Sequence, residues 1–378
     1  MKGTQLRRWL ALPAALLLLV LVIAGCGGGS SSSSSSSSES EPAETEEAGT
    51  EEAAAEGGGA ESSKTAGSKV FYISPVAAQP GQQILNEGLE QASKELGWTE
   101  TVLDSALSAE KQVSNVEAAI SQGASAISSW TLDPNAIAGA YEKAQSKDIP
   151  VIGMNSVGKG VTATVWWETQ LCEKGGPEQL SAEMIAKAKP KAKIIVIGLE
   201  VAESTKAETD CFVQEAEKEG LQIINKTNNE ADNASGSQKV FEPLLTKYPE
   251  VEAVWNYNDE SAMGVSAALL AAGKTIASPE NPEGIIVSGT NGDKDAIEAV
   301  EEGRLTWTWD PDATATGFAA AQLMNEALEG NKKPKDLIVK SILVDGETVG
   351  EYTHPEDREY TLAEYPAKQA EGEVITAE

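Results

Sequence analysis

From Lys69 onward, short apolar runs alternate with segments whose apolar residues recur at helical spacing. Residues 70–73 form an unbroken apolar and aromatic run that predicts a strand. Residues 81–96 place Ile84, Leu85, Leu89, Ala92 and Leu96 along one helical stripe, closed by Gly97. The alternation continues with strands expected at 99–103, 126–129 and 150–154 and helices at 109–122 and 135–146. It pauses at 163–167, which reads as a strand with no crossover helix before it. A second run follows, with strands at 193–198, 221–225, 251–255, 285–288, 305–309 and 337–344. The intervening helices fall at 176–188, 204–219, 235–247, 261–272, 293–302 and 314–328. Strands joined through helices by short connections predict parallel sheets with right-handed crossovers. The pause divides them into two α/β domains with Rossmann-like sheets.

The clearest strand-to-helix turn lies at 251–270. Its apolar run ends in Asn256, Asn258, Asp259 and Glu260, and either Asp259 or Ser261 is placed to cap the helix that follows. In parallel sheets the carboxyl ends of strands are where ligands bind, so these polar groups stand at a candidate site. Neither run opens with G-x-G-x-x-G, which disfavours a dinucleotide fold, and Gly289 to Gly292 is too short to count as a phosphate loop.

The chain of 378 residues exceeds what one compact core usually takes, which agrees with two domains. Its start belongs to neither. Lys2, Arg7 and Arg8 precede an apolar run from Leu10 to Ala24, the pattern of a secretory signal, assigned to 1–25. Nine consecutive serines (30–38) and nine glutamates between 39 and 61 follow, with no Lys, Arg, Asp or aromatic among the latter. Such a segment has nothing to bury and repels itself, so 26–68 is expected to be a disordered tether. The net charge of −30 shows no basic footprint for a phosphate backbone and argues against nucleic acid.

Three cysteines are present. If Cys26 is set apart, Cys172 and Cys211 remain as a pair that a secreted protein would oxidise to a disulfide, the alternative being two buried thiols. No CxxC or Cys/His cluster suggests a metal, and no cofactor motif is present. The single histidine, His354, lies in a polar tail, so no Ser-His-Asp or Cys-His set can be built and no enzyme is expected.

Residues 21–26, Leu-Val-Ile-Ala-Gly-Cys, resemble a bacterial lipoprotein box, which implies a lipid on Cys26 and a membrane anchor there. From Lys69 to about Val344 the chain resembles the periplasmic sugar-binding proteins of the ribose-binding type, the receptors of ABC importers. The resemblance rests on Leu85-Asn86-Glu87-Gly88 through Lys94-Glu95-Leu96-Gly97-Trp98, on Ile149-Pro150-Val151-Ile152, on Ala253-Val254-Trp255 with Asn258-Asp259-Glu260 and Met263-Gly264, and on Val287 to Gly292. It implies two lobes joined by a three-segment hinge that closes on a ligand. The lobes would comprise 69–167 with 310–335, and 168–309 with 336–344, followed by an irregular tail at 345–378.

Carried over residue by residue, the resemblance implies ligand contacts from Gln79, Gln82, Asn155, Glu208, Asn258, Asn291 and Asp310. Asn258 matches a ligand Asn of the family and Asn291 replaces an Asp. The family's aromatic sandwich after the first strand is absent at Gln79 to Gln82, its Asp-Arg pair is Asn155-Ser156 here, and its second-domain Arg corresponds to Glu208. Trp130, at a strand end, is a candidate to stack on a sugar face in compensation, with Trp166, Trp167 and Trp309 weaker candidates and Trp255 assigned to the core. A cleft poor in cations does not favour anionic ligands. The expectation is a monomeric, extracytoplasmic, lipid-anchored receptor that passes a small neutral or cationic polar ligand, a sugar by resemblance, to an ABC permease. The alternatives are a receptor serving a sensor kinase or chemoreceptor, and an importer receptor for an amine, nucleoside or aromatic solute.

Overall fold

A computed structural model describes residues 63–371. The expected signal sequence, Cys26 and nearly all of the tether lie outside them, as do residues 372–378. Among the described residues no helix is long and apolar enough to cross a membrane. The packed chain begins before the first strand. Thr65 is buried in a turn, accepts from Trp98 Nε1 at 3.0 Å and donates to Asn325 at 2.7 Å, so the expected tether stops short of Lys69.

The first half runs β1 (Lys69–Ser74), α1 (Pro80–Leu96), β2 (Thr99–Asp104), α2 (Ala109–Ser121), β3 (Ala126–Ser129), α3 (Pro134–Gln145), β4 (Val151–Met154) and β5 (Ala163–Trp167). The second runs α4 (Pro177–Ala188), β6 (Lys193–Gly198), α5 (Glu203–Lys218), β7 (Gln222–Asn228), α6 (Ala234–Lys247), β8 (Ala253–Asn256), α7 (Asp259–Ala271), β9 (Ile286–Thr290), α8 (Lys294–Glu301) and β10 (Trp307–Asp310). The chain ends with α9 (Ala313–Leu328), β11 (Leu337–Val339), β12 (Ile342–Asp345) and β13 (Ala367–Gln369).

Two sheets result. The first has the order β13-β11-β5-β4-β3-β1-β2 and the second β12-β10-β9-β8-β6-β7. All ladders are parallel except the edge pairs β11–β13 and β10–β12. Both faces of each sheet are covered over its central strands, which is why those strands are largely apolar, while the edge strands β2 and β7 are more polar and partly exposed. In β1, Val70 and Tyr72 pack with α1 and α9, whereas Phe71 and Ile73 pack with α2 and α3. In β6, Ile194 and Val196 face α4 and α5, while Ile195 and Ile197 face α6 and α7.

Helices α1 and α9 cross with almost no side chain between them. A Cβ on Gly88 would stand 2.2 Å from Thr314 O, and one on Gly317 would stand 2.3 Å from Leu89 N. Only glycine allows that approach, and it draws the start of α9 against α1.

The connections differ from the pattern-based expectation in three places. Residues 337–344 were expected as one strand. They form two, β11 in the first sheet and β12 in the second, separated by Lys340 and Ser341. The chain thus passes between the sheets after Trp167, at Asp310 to Asp312, and at Lys340–Ser341. Ser341 N donates to Glu168 Oε2 at 3.0 Å, tying the first passage to the third. The tail was expected to be irregular, yet β13 extends the first sheet. The helix after β8 is capped by neither Asp259 nor Ser261 but by Asn258, whose Oδ1 accepts from Ser261 N at 2.9 Å. Asp259 is buried in the first turn, where its Oδ2 accepts from Asp293 N.

Candidate functional site

The carboxyl ends of both sheets face one another across a cleft. It holds a cavity of about 60 Å3. One wall comes from the loop after β1 (Pro75, Val76, Gln79, Gln82), from Leu107 after β2, from Trp130 and Leu132 after β3, and from Trp167 at the end of β5. The other comes from Leu199 and Ala202 after β6, Thr205 and Glu208 on α5, Asp232 after β7, Tyr257 and Asn258 after β8, and Thr290 and Asn291 after β9. Gln170 stands between them in the short helical turn that follows β5. Every one of these strands ends at the cleft, as expected for parallel sheets meeting end to end.

Gln79 caps α1, with Pro80 at the first helical position, and its Nε2 reaches across to Glu260 Oε2 at 3.1 Å. Gln82 lies one turn further and accepts from the Tyr72 hydroxyl. At Gly81 the walls are also close, since a Cβ there would sit 3.5 Å from the Asn291 side chain. Trp130 stands edge-on to Trp167, ring centroids 4.8 Å apart, and its Nε1 donates across the cleft to Ser204 Oγ at 3.0 Å. Both indoles keep their N–H paired, since Trp167 Nε1 donates to Thr316 Oγ1.

On the facing wall, Asp232 Oδ1 accepts from the Tyr257 hydroxyl and from Asn258 Nδ2, the latter at 2.8 Å. Burial pushes the Asp232 carboxyl above its usual range, and those two donors oppose the rise. Glu208 is 1 % exposed. Its Oε2 accepts from Gln170 Nε2 at 2.6 Å, and its Oε1 has no partner. Burial pushes Glu208 up to about 8, against the Gln170 hydrogen bond and the nearby Thr290 hydroxyl. Behind it Glu178, on α4, is equally buried with both oxygens unpartnered, and burial, then the charge of Glu208, raises it well above the usual range.

A disulfide joins Cys172, just past Gln170, to Cys211 in the middle of α5, with a Cα–Cα distance of 5.6 Å. Cys211 lies three residues beyond Glu208 in the helix interior. The bond holds the Gln170 segment against the helix that carries Glu208.

Of the residues singled out in the sequence, the structure gathers Gln79, Gln82, Trp130, Glu208, Asn258 and Asn291 around the cleft. Two lie elsewhere. Asn155 is in a left-handed turn (φ 46°) with its Oδ1 on Trp167 N, and it lines a smaller adjoining pocket with Trp166 and Ser204. Asp310 is fully buried at the second passage, where its Oδ2 meets Arg358 at 2.5 Å and accepts from the Tyr352 hydroxyl. Of the other tryptophans, Trp167 lines the cleft, Trp166 bonds Asp336 and Trp309 bonds Ser181 on the core side. Trp255 stacks on Phe212 in the core.

Gln170, Asp232, Tyr257 and Thr290 were not anticipated. The polar cluster after β7 that holds Asp232 was open to the strand-end reasoning applied to Asn258. Gln170 had no such signal, because it belongs to a passage between lobes. Among the described residues lining the cleft there is no Lys, Arg or His, and no group of three or more His, Cys, Asp or Glu could hold a metal ion.

Residues 70–332 match the family model described as a periplasmic binding protein domain. The chain is 29 % identical over 255 residues to the ribose import binding protein of Bacillus subtilis (strain 168), covering 67 % of this chain and 79 % of that one. A solute-binding protein of an ABC transporter from Bacillus halodurans C-125, solved with bound myo-inositol, superposes with a TM-score of 0.66 at 25 % identity, over 76 % of this chain and 98 % of that one. The Caulobacter myo-inositol binding protein, bound to myo-inositol, does so with a TM-score of 0.68 at 20 % identity, over 77 % and 97 %. With two α/β lobes, three passages between them and a polar cleft at the strand ends, the chain belongs to the periplasmic binding protein family.

Proposed function

We propose that this protein is an extracytoplasmic solute receptor that captures a sugar or cyclitol between its lobes and delivers it to an ABC import permease. The observation that carries this reading is the composition of the cleft. One wall offers the indole of Trp130, able to cover the apolar face of a ring, and the other offers carboxylate and amide edges able to read hydroxyls. Relatives of this chain that take ribose and myo-inositol agree with it.

In this reading Gln79, Gln82, Trp130, Gln170, Glu208, Asn258 and Asn291 contact the ligand. The lobes move about the three passages, as two-lobed binding proteins do when they close. The cross-cleft bonds Gln79–Glu260 and Trp130–Ser204 belong to the closed arrangement. Asn155 and Asp310 support the walls instead of touching ligand. Lipid modification of Cys26 would hold the receptor at the membrane surface, with the Ser/Glu-rich segment as spacer and the folded part acting as a monomer.

A thermal-shift screen over pentoses, hexoses, amino sugars, cyclitols, polyols and sugar acids tests the reading. Stabilisation by at least one neutral or cationic member of the set is expected. Stabilisation by sugar acids alone would overturn it, since no cation lines the cleft to receive them.

A further inference from the structure

We infer that the cleft is built for a ligand carrying a protonated amine among its hydroxyls, an amino sugar or amino cyclitol, with the ammonium seated on Glu208 and Gln170. This rests on the sugar reading above and narrows it.

The inference comes from which hydrogen-bonding atoms of the cleft are left over. Among the lining side chains, two buried polar atoms have no partner, Gln170 Oε1 and Glu208 Oε1. With Glu208 ionised, as it is beside a bound cation, both are acceptors. The Gln170 amide is then oriented by its own bond, since its Nε2 donates to Glu208 Oε2 and the reverse orientation would set oxygen against oxygen. The two orphan acceptors therefore sit on neighbouring side chains. A hydroxyl donates once and would leave one of them empty. An ammonium donates three times.

Charge points the same way. Glu208 and Glu178 are both 1 % exposed, and no Lys, Arg or His among the described residues lines the cleft beside them. A buried carboxylate without a counter-charge is strongly disfavoured unless it keeps its proton. In the free protein a proton does this, as the upward displacement of Glu208 indicates. A cationic ligand replaces it. The ammonium enters, the carboxyl releases its proton to solvent, and the net charge of the site is unchanged. Asp232 is the other lining carboxylate, but its Oδ1 is already taken by Tyr257 and Asn258.

The test is calorimetry at pH 7 on matched pairs, each a neutral compound and its amino analogue: D-glucose with D-glucosamine, D-ribose with an aminodeoxyribose, scyllo-inositol with scyllo-inosamine. At least one amine is expected to bind tenfold or more tightly than its neutral partner. Repeating the titration in buffers of different ionisation enthalpy should show net release of a proton for the amine and none for the neutral compound. Glu208→Gln should abolish both the preference and the release. Neutral members binding as tightly as their amines, or a preference that survives Glu208→Gln, would overturn the inference and leave the sugar reading standing. Failure of every pair to bind would overturn both.

Discussion

Two groups of buried carboxylates in this molecule have opposite surroundings. At the second passage between lobes, Asp310 and Asp312 are 0 % and 1 % exposed. Arg358 reaches them from the C-terminal segment, bonding Asp310 at 2.5 Å and Asp312 at 3.2 Å, while the hydroxyls of Tyr352 and Tyr360 donate to the same two carboxylates. At the cleft wall Glu208, with Glu178 behind it, is buried as deeply, with the Gln170 amide as its donor and no Lys, Arg or His among the described residues lining the cleft. Burial raises the carboxyl of Asp310 too, but the Arg358 charge opposes it. No charge opposes it at Glu208. One group is closed by the chain itself and serves the hinge. The other has no charge of the opposite sign to close it, and Glu208 is its member that lines the cleft.

The contrast breaks most directly at Arg358. Arg358→Ala leaves two carboxylates buried and unpaired, and should cost about 3–5 kcal/mol in denaturant unfolding. Replacing Asp310 and Arg358 together, as Asp310→Asn with Arg358→Met, should cost less than Arg358→Ala alone, because only Asp312 is then left without its counter-charge. A loss under about 1 kcal/mol for Arg358→Ala would mean that the tail does not lock this passage.

The cleft group is held by a covalent tie instead of an ionic one. The Cys172–Cys211 bond closes a span of 39 residues and aligns Gln170 with Glu208. The double variant Cys172→Ser, Cys211→Ser should lose about 2–4 kcal/mol of stability. It should also weaken ligand binding beyond what wild type shows at equal distance below its Tm. Unchanged affinity would place the disulfide outside the organisation of the site.

Removing the uncompensated charge should have the opposite sign. Folding raises Glu208 from 4.5 to about 8, so between those pH values the native state holds more protons than the unfolded chain. Its contribution is therefore favourable at low pH and is lost as pH rises toward 8. Glu100 and Glu260, also raised by burial to about 8, act in the same direction. Tm should accordingly fall from pH 6 to pH 8.5 in the free protein. Glu208→Gln should raise stability at pH 8.5 by about 2 kcal/mol and flatten the decline. A Tm that climbs with pH, or a variant less stable than wild type at pH 8.5, would contradict the assignment of Glu208 as an uncompensated acid.

This difference between the two groups was only half legible in the sequence. Alternating strand and helix patterns placed the sheets and the strand ends, because a fully covered parallel strand is apolar along its whole length and a helix leaves its stripe. They also led to Asn258, which follows a strand directly, whereas Glu208, inside α5, came only from the family resemblance. They could not show that Arg358 reaches Asp310, 48 residues earlier, from a segment with little apolar periodicity. Nor could they divide 337–344, where only Lys340 and Ser341 separate strands of different sheets. Both are long-range facts, fixed by which sheet edge is free when the tail arrives.

Asn258 marks the boundary between ligand chemistry and fold chemistry in the cleft, and it should give the smallest effect of the set. Its Oδ1 caps α7 and its Nδ2 donates to Asp232, so any contact it makes with a ligand shares atoms already in use. Asn258→Ala should cost about 1 kcal/mol through the lost cap. Asn258→Asp keeps the cap but sets a carboxylate against Asp232, two charges that burial already disfavours. If Asn258 works through Asp232, the Asp variant should lose as much affinity as the Ala variant while unfolding more like wild type at pH 5 than at pH 8. If Asn258 reads the ligand directly, the two should differ in affinity at both pH values, the added carboxylate strengthening the binding of an amine.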